Sequence, residues 1–186
     1  MKELAPTVYI VDDDSGVRSS IRVLMKSVGL PAIPFPSAKE FLETYHPNNP
    51  GCLVLDIRMP GMSGLELQEA LNQRGAVIPV IFITGHGDIP MAVEAMRHGA
   101  FDFLQKPFRD QDLIDRIQQA MARDAETRQS LQEHSRIRAR IASLTPREQE
   151  VLEQQTKWLV QVAVAVVILT VTQYPWHPVL LLEKEE

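Results

Sequence analysis

Cysteine is nearly absent from this chain. Cys52 stands alone among 186 residues, which excludes an intrachain disulfide, and its apolar surroundings mark it as a small core residue compatible with a reducing cytoplasm. Strong charge is absent too: a net charge of −5 argues against a wholly basic nucleic-acid binder, although acidity in one domain can mask a basic second one. The opening residues, Met1-Lys2-Glu3-Leu4-Ala5-Pro6, show no charged-then-apolar region with a cleavage site, so no secretory leader is expected and a cytoplasmic location is. The one long apolar stretch, Trp158 to Thr172, is about fifteen residues before Gln173 and Pro175, short of the roughly 20 that a membrane span needs.

What the chain does contain is enough apolar material, 45%, for one full core and an appendage. Its apolar runs share a habit: each ends on a polar residue suited to chemistry. Thr7-Val8-Tyr9-Ile10-Val11 runs into Asp12-Asp13-Asp14, and Cys52-Leu53-Val54-Leu55 into Asp56. Ile78-Pro79-Val80-Ile81-Phe82-Ile83 reaches Thr84, and Ala100-Phe101-Asp102-Phe103-Leu104 leads to Lys106-Pro107. Buried parallel strands read as continuous apolar runs, and open α/β sheets bind ligands outside the carboxyl ends of their strands. Hard carboxylate oxygens suit Mg²⁺, while an ammonium and a hydroxyl suit a phosphoryl group.

Between these runs lie helical periods with start signals. Ser15 is the expected cap of a helix bearing Val17, Ile21, Leu24 and Met25. Ser37-Ala38-Lys39-Glu40 and Ser63-Gly64-Leu65-Glu66 fit the capping box; Asp88 and Asp110 precede further helices. Strand then helix, five times, predicts a doubly wound parallel sheet, with Pro31-Ala32-Ile33-Pro34-Phe35 as its remaining strand, placed at an edge by its prolines. His86, between Gly85 and Gly87, lacks a second histidine and reads as part of a loop free to rearrange.

The ordered set Val11-Asp12-Asp13-Asp14, Leu55-Asp56-Ile57-Arg58-Met59-Pro60-Gly61, Ile83-Thr84-Gly85-His86-Gly87 and Lys106-Pro107-Phe108 resembles the receiver domain of two-component response regulators. The wording Gly85-His86-Gly87-Asp88-Ile89-Pro90-Met91-Ala92-Val93-Glu94-Ala95-Met96 resembles the FixJ branch, whose members carry a LuxR-type DNA-binding domain. The resemblance implies a flavodoxin-like (CheY-like) receiver over residues 5–122, with five parallel strands. It implies Asp56 as phosphoacceptor for a sensor histidine kinase, and Mg²⁺ held by Asp12, Asp13, Asp56 and the backbone carbonyl of Arg58. Thr84 and Lys106 would bind the phosphoryl group, Phe103 would be the aromatic switch, with plain core packing as its alternative, and the Lys106–Pro107 bond would be cis. Phosphorylation would make a homodimer that binds promoter DNA. A regulator rather than an enzyme is expected: an aspartate-nucleophile phosphatase of the haloacid-dehalogenase kind wants a second aspartate two residues on, and that position is Arg58. A stand-alone interaction module without DNA binding is the other alternative.

No strong breaker occurs from Asp110 to Ala142, so the last receiver helix is expected to continue as a charged, solvated linker over residues 123–142; a dimerising coiled segment would need more sustained heptads than Ile137 and Ile141 provide. Over 143–186, Thr145-Pro146-Arg147-Glu148 makes a helix start and resembles the opening of a LuxR-type helix-turn-helix. After Leu152 that resemblance stops, and the output region reads as incomplete or altered. The atypical apolar tail has no lysine or arginine from Trp158 to Leu182, so promoter binding by this segment is doubtful. Its β-branched richness suits strand as well as helix. The open readings are a strand or helix packing on the receiver or a second subunit, membrane association, or an altered reading frame or engineered end.

Overall fold

Apolar runs bounded by turn residues become the strands of one parallel sheet. The computed structural model describes residues 5–85 and 89–173. Strands β1 (Thr7–Val11), β2 (Ala32–Phe35), β3 (Gly51–Asp56), β4 (Val80–Thr84) and β5 (Asp102–Gln105) alternate with helices α1 (Ser15–Ser27), α2 (Ala38–Thr44), α3 (Gly64–Gln73), α4 (Ile89–Arg97) and α5 (Asp110–Ala142); α6 (Pro146–Gln173) follows. The sheet order is β2-β1-β3-β4-β5, all parallel. Pro34 therefore lies in an edge strand, where its missing N–H costs no ladder bond.

The period of two along each strand separates two cores. Tyr9, Val11, Leu53, Leu55 and Phe82 face α2, α3 and α4 through Phe41, Leu67, Leu71 and Ala95. Val8, Ile10, Cys52, Val54, Ile81 and Ile83 face α1 and α5 through Ile21, Met25, Leu113 and Ile117. Burial pushes the Cys52 thiol up to about 12, with the nearby Asp124 carboxylate adding to the effect.

Helix starts follow local chemistry, with departures from expectation at α1, where the cap shifts by one residue, and at α2, where only half of the capping box forms. Asp14, not Ser15, caps α1: its carboxylate accepts from the backbone N–H groups of Gly16 (2.7 Å) and Val17 (3.2 Å). Ser15 becomes the first helical residue, because the Asp14 carboxylate already takes the N–H groups it would have satisfied. At α3 the full capping box forms, with Ser63 N–H donating to Glu66 Oε2 (2.7 Å) and Glu66 N–H to the Ser63 hydroxyl (3.3 Å); at α2 the Ser37 hydroxyl accepts from Glu40 N–H. Asp88 and His86 lie outside the described residues.

The chain divides into two units after Glu133. Within the first, α5 is not simply solvated beyond residue 122. Asp124 is buried, accepts from Gly51 N–H (2.9 Å) and pairs with Arg128 (2.8 Å); Arg128 also donates to the carbonyls of Pro47 (3.0 Å) and Asn49 (2.8 Å). In the second unit Thr145 caps α6, its N–H and hydroxyl donating to Glu148 Oε2 at 2.8 and 2.6 Å. Residues 158–173 of the apolar tail are helical rather than strand. Trp158, Leu159, Val160 and Val162 are exposed. Among the described residues, no helix is long and apolar enough to cross a membrane.

Candidate functional site

The sheet order explains why four strand ends matter together. The chain passes from β1 out to β2 and then returns to β3 on the other side, so the crevice between β1 and β3 is a topological switch point, where open α/β sheets bind ligands. Asp12 follows β1 there, Asp56 ends β3, Thr84 ends β4, and Lys106 follows β5.

Asp12 and Asp56 are almost fully buried, at 1% and 7% exposure. Their carboxylates converge on one cation: Lys106 Nζ donates to Asp12 Oδ2 and to Asp56 Oδ1, each at 2.8 Å. The remaining oxygens are also occupied, since Asp12 Oδ1 accepts from Asp14 N–H (2.8 Å) and Asp56 Oδ2 from Arg58 N–H (3.0 Å). Lys106 is itself fixed by its own N–H, which donates to the Thr84 carbonyl at 2.7 Å. The Lys106–Pro107 bond is cis.

Electrostatics follow from this packing. Burial raises the pKa of Asp56 and the Asp12 charge adds to it; the Lys106 ammonium and the Arg58 N–H oppose the rise without cancelling it. Burial lowers the pKa of Lys106, but its bonds to Asp12 and Asp56 outweigh that and the net direction is upward. Two carboxylates and one ammonium leave a local excess of negative charge on hard oxygens, the donor chemistry that accepts a divalent cation.

Not every expected residue joins this cluster. Asp13 is exposed in the same loop, and among the described residues no three of His, Cys, Asp and Glu are grouped to hold a metal by themselves. The Arg58 side chain is exposed while its backbone faces Asp56. Thr84 is buried at 3%. Phe103 is 38% exposed, which sets aside plain core packing: β5 is the edge strand on that side, and its inward residue is Leu104.

Two residues of the site have no role in the sequence reading. Asp14 is the α1 cap and supplies the N–H held by Asp12; Arg18, one turn into α1, donates from Nη1 to the Asp12 carbonyl at 2.6 Å.

Comparison with known proteins agrees with this geometry. Residues 8–118 match the response regulator receiver domain family. The chain is 44% identical to nodulation protein W of Bradyrhizobium diazoefficiens over 174 residues, covering 91% of this chain and 77% of that protein, so the alignment runs past Leu152. It is 48% identical to the transcriptional regulatory protein FixJ of Azorhizobium caulinodans over 153 residues, covering 82% and 72%. Among solved structures, the response regulator StyR superposes with a TM-score of 0.77 at 49% identity, covering 82% of this chain and 77% of that one. The family match over residues 8–118, with regulators of this similarity and a shared five-stranded parallel fold, means that the chain belongs to the response regulators of two-component systems, signalling proteins governed through phosphorylation of a receiver domain.

Proposed function

We propose that Asp56 is the phosphoacceptor of this receiver. The supporting observation is the convergence of Asp56 Oδ1 and Asp12 Oδ2 on Lys106 Nζ at the carboxyl edge of the sheet. Response regulators receive their phosphoryl group from sensor histidine kinases. An Asp56 carboxylate oxygen attacks the phosphorus of the kinase's phosphohistidine and the P–N bond breaks. Its electron pair returns to the imidazole, which takes up a proton, and an acyl phosphate remains on Asp56. A groove of about 1050 Å³ opens beside Lys106, lined by Asp14, Val17, Leu24, Pro107 and Phe108, and gives a partner helix room to bring the histidine to Asp56.

Receiver domains of this family bind Mg²⁺ at their acidic site. Here the carboxylates of Asp12, Asp13 and Asp56 and the Arg58 carbonyl would hold it. The bound ion offsets repulsion between the carboxylates and the incoming phosphoryl oxygens. Lys106 then exchanges its carboxylate partner for a phosphoryl oxygen, and the Thr84 hydroxyl donates to another. The Thr84 loop and Phe103 shift together, biasing a two-state element. Val93 and Met96 of α4 and Phe103 of β5 are exposed apolar side chains, which favours a homodimer through the face of α4, β5 and α5.

The signal's destination in the family is promoter DNA. Arg136, Arg138 and Arg140 of α5 offer this chain phosphate contacts without base reading, an attraction that fades steeply with salt. Receiving a phosphoryl group from a kinase of this kind fits a cytoplasmic location.

Incubation with acetyl phosphate and Mg²⁺, followed by intact and peptide mass measurement, tests the reading. One phosphoryl group should appear on the peptide containing Asp56. A phosphoryl group still forming in Asp56→Asn would refute the assignment.

A further inference from the structure

The loop between β1 and α1 is closed into a ring of hydrogen bonds. Asp14 N–H donates to Asp12 Oδ1 at 2.8 Å, Arg18 N–H donates to the Asp14 carbonyl at 3.1 Å, and Arg18 Nη1 returns to the Asp12 carbonyl at 2.6 Å. The Asp14 carboxylate meanwhile caps α1, so the ring is bolted to the helix. Asp12 is thus gripped on both sides, by its carboxylate oxygen and by its backbone oxygen. Asp13 lies inside the ring, between its two anchored neighbours, so its backbone direction is fixed although its side chain is exposed.

We propose that Arg18 is a positioning residue for the acidic site, holding Asp12 and Asp13 in the arrangement that binds the divalent cation. The proposal rests on the metal set assigned under the proposed function. Arg18 itself cannot be a ligand, because a guanidinium repels a cation and has no lone pair to give. Its effect runs through the Asp12 carbonyl. That oxygen lies beyond the last residue of β1, and Arg18 restrains it; without Arg18 the Asp12 carboxylate keeps Lys106 and the Asp14 N–H, but the backbone of Asp12 and Asp13 loses the restraint that aligns them with Asp56. A charged donor to a carbonyl makes a stronger restraint than a neutral one. Residues behind metal ligands commonly matter in this way, each being worth about ten- to a hundredfold in affinity.

The test uses the full chain without a phosphodonor. Mg²⁺ alone is titrated by calorimetry into the wild type, Arg18→Ala, Arg18→Lys, and Arg22→Ala, an exposed arginine one turn further along the same helix. Arg18→Ala should weaken Mg²⁺ binding about tenfold or more. Arg18→Lys should recover most of the loss, since an ammonium also donates to the carbonyl, and Arg22→Ala should change nothing. Amide exchange at Asp13 and Asp14 should speed up in Arg18→Ala alone. With acetyl phosphate, the Mg²⁺ concentration giving half-maximal rate should rise while the rate at saturating Mg²⁺ stays the same, a split that a general loss of folding does not produce. If Arg18→Ala does not fold, Arg18→Met, which keeps the length of the side chain and loses the donor, takes its place: wild-type Mg²⁺ affinity and wild-type exchange at Asp13 and Asp14 in that variant overturn the proposal. Unchanged Mg²⁺ affinity in folded Arg18→Ala overturns it alone, whereas a wild type that binds no Mg²⁺ overturns the metal assignment beneath it as well.

Discussion

Arg128 closes on Asp124 at 2.8 Å one helical turn away, and together they seize the start of β3 through Gly51 and the carbonyls of Pro47 and Asn49. This pair makes residues of the charged helix part of the receiver. It also lies at the opposite end of β3 from Asp56, so the two polar clusters of the domain are joined by one buried strand.

Asp124→Ala should therefore destabilise the first unit by about 3 kcal/mol or more, because it strands a mostly buried guanidinium and the Gly51 N–H. Urea unfolding measures the loss, and faster amide exchange at Gly51 should accompany it. Asp124→Asn, which can still accept from Gly51, should cost less.

The raised pKa of Asp56 has a consequence for stability. A carboxyl whose folded pKa lies above its unfolded value, 3.8, weighs against the folded state at neutral pH, where it is charged in both states, and ceases to do so below 3.8, where it is neutral in both. Asp56→Asn should raise the urea midpoint at pH 7, and the gain should shrink as pH falls through the carboxylate range. A gain that grew on acidification would contradict the burial of this group.

Gly64 opens α3 directly beneath the site. A Cβ there would overlap the Asp56 carbonyl oxygen and stand 3.0 Å from the Phe82 ring. Gly64→Ala should cost about 1–3 kcal/mol through overpacking. By displacing Asp56 it should also slow phosphorylation by acetyl phosphate, read as the initial rate of mass gain.

Thr84→Ala should leave Mg²⁺ affinity intact, since the metal set contains no Thr84 atom, while phosphorylation-dependent dimerisation weakens. Calorimetry and sedimentation velocity separate the two. Lost Mg²⁺ binding would reassign the hydroxyl.

Cys52 should be inert to thiol reagents at neutral pH. Its thiol is fully buried and pushed up to about 12 by that burial. Labelling should proceed only through unfolding, its rate rising with urea in step with global opening. Because the folded pKa is raised, the fold should also lose stability as pH climbs from 9.0 towards 12.

The strand ends were legible because buried strands force an abrupt change of chemistry where they meet solvent: Val11 to Asp12, Leu55 to Asp56, Ile83 to Thr84. The capping box at Ser63 and Glu66 was legible because its spacing states its geometry. Asp14 was not, since two adjacent good caps, Asp14 and Ser15, differ only in which N–H groups the tertiary fold leaves to be satisfied. Asp124 and Arg128 fall in the stretch over residues 123–142 whose charge points to solvent. A finer reading was available: Leu113, Ile117, Ala120 and Asp124 recur at steps of four, three and four, which sets Asp124 on the core-facing stripe. The Arg18 contact had no comparable signal, because a side chain reaching a backbone oxygen six residues back leaves no mark in periodicity.

β3 is the middle strand of five, with every residue buried and neighbours on both sides. Strands of that kind open only when the whole domain does. The Asp56 carboxylate is thus mounted on a strand that yields only with the whole domain, whereas Asp12 and Lys106 reach it from loops. The lifetime of the phosphoryl group proposed for Asp56 should then be set by those loops, and variants that retime the signal should map to them and not to the strand.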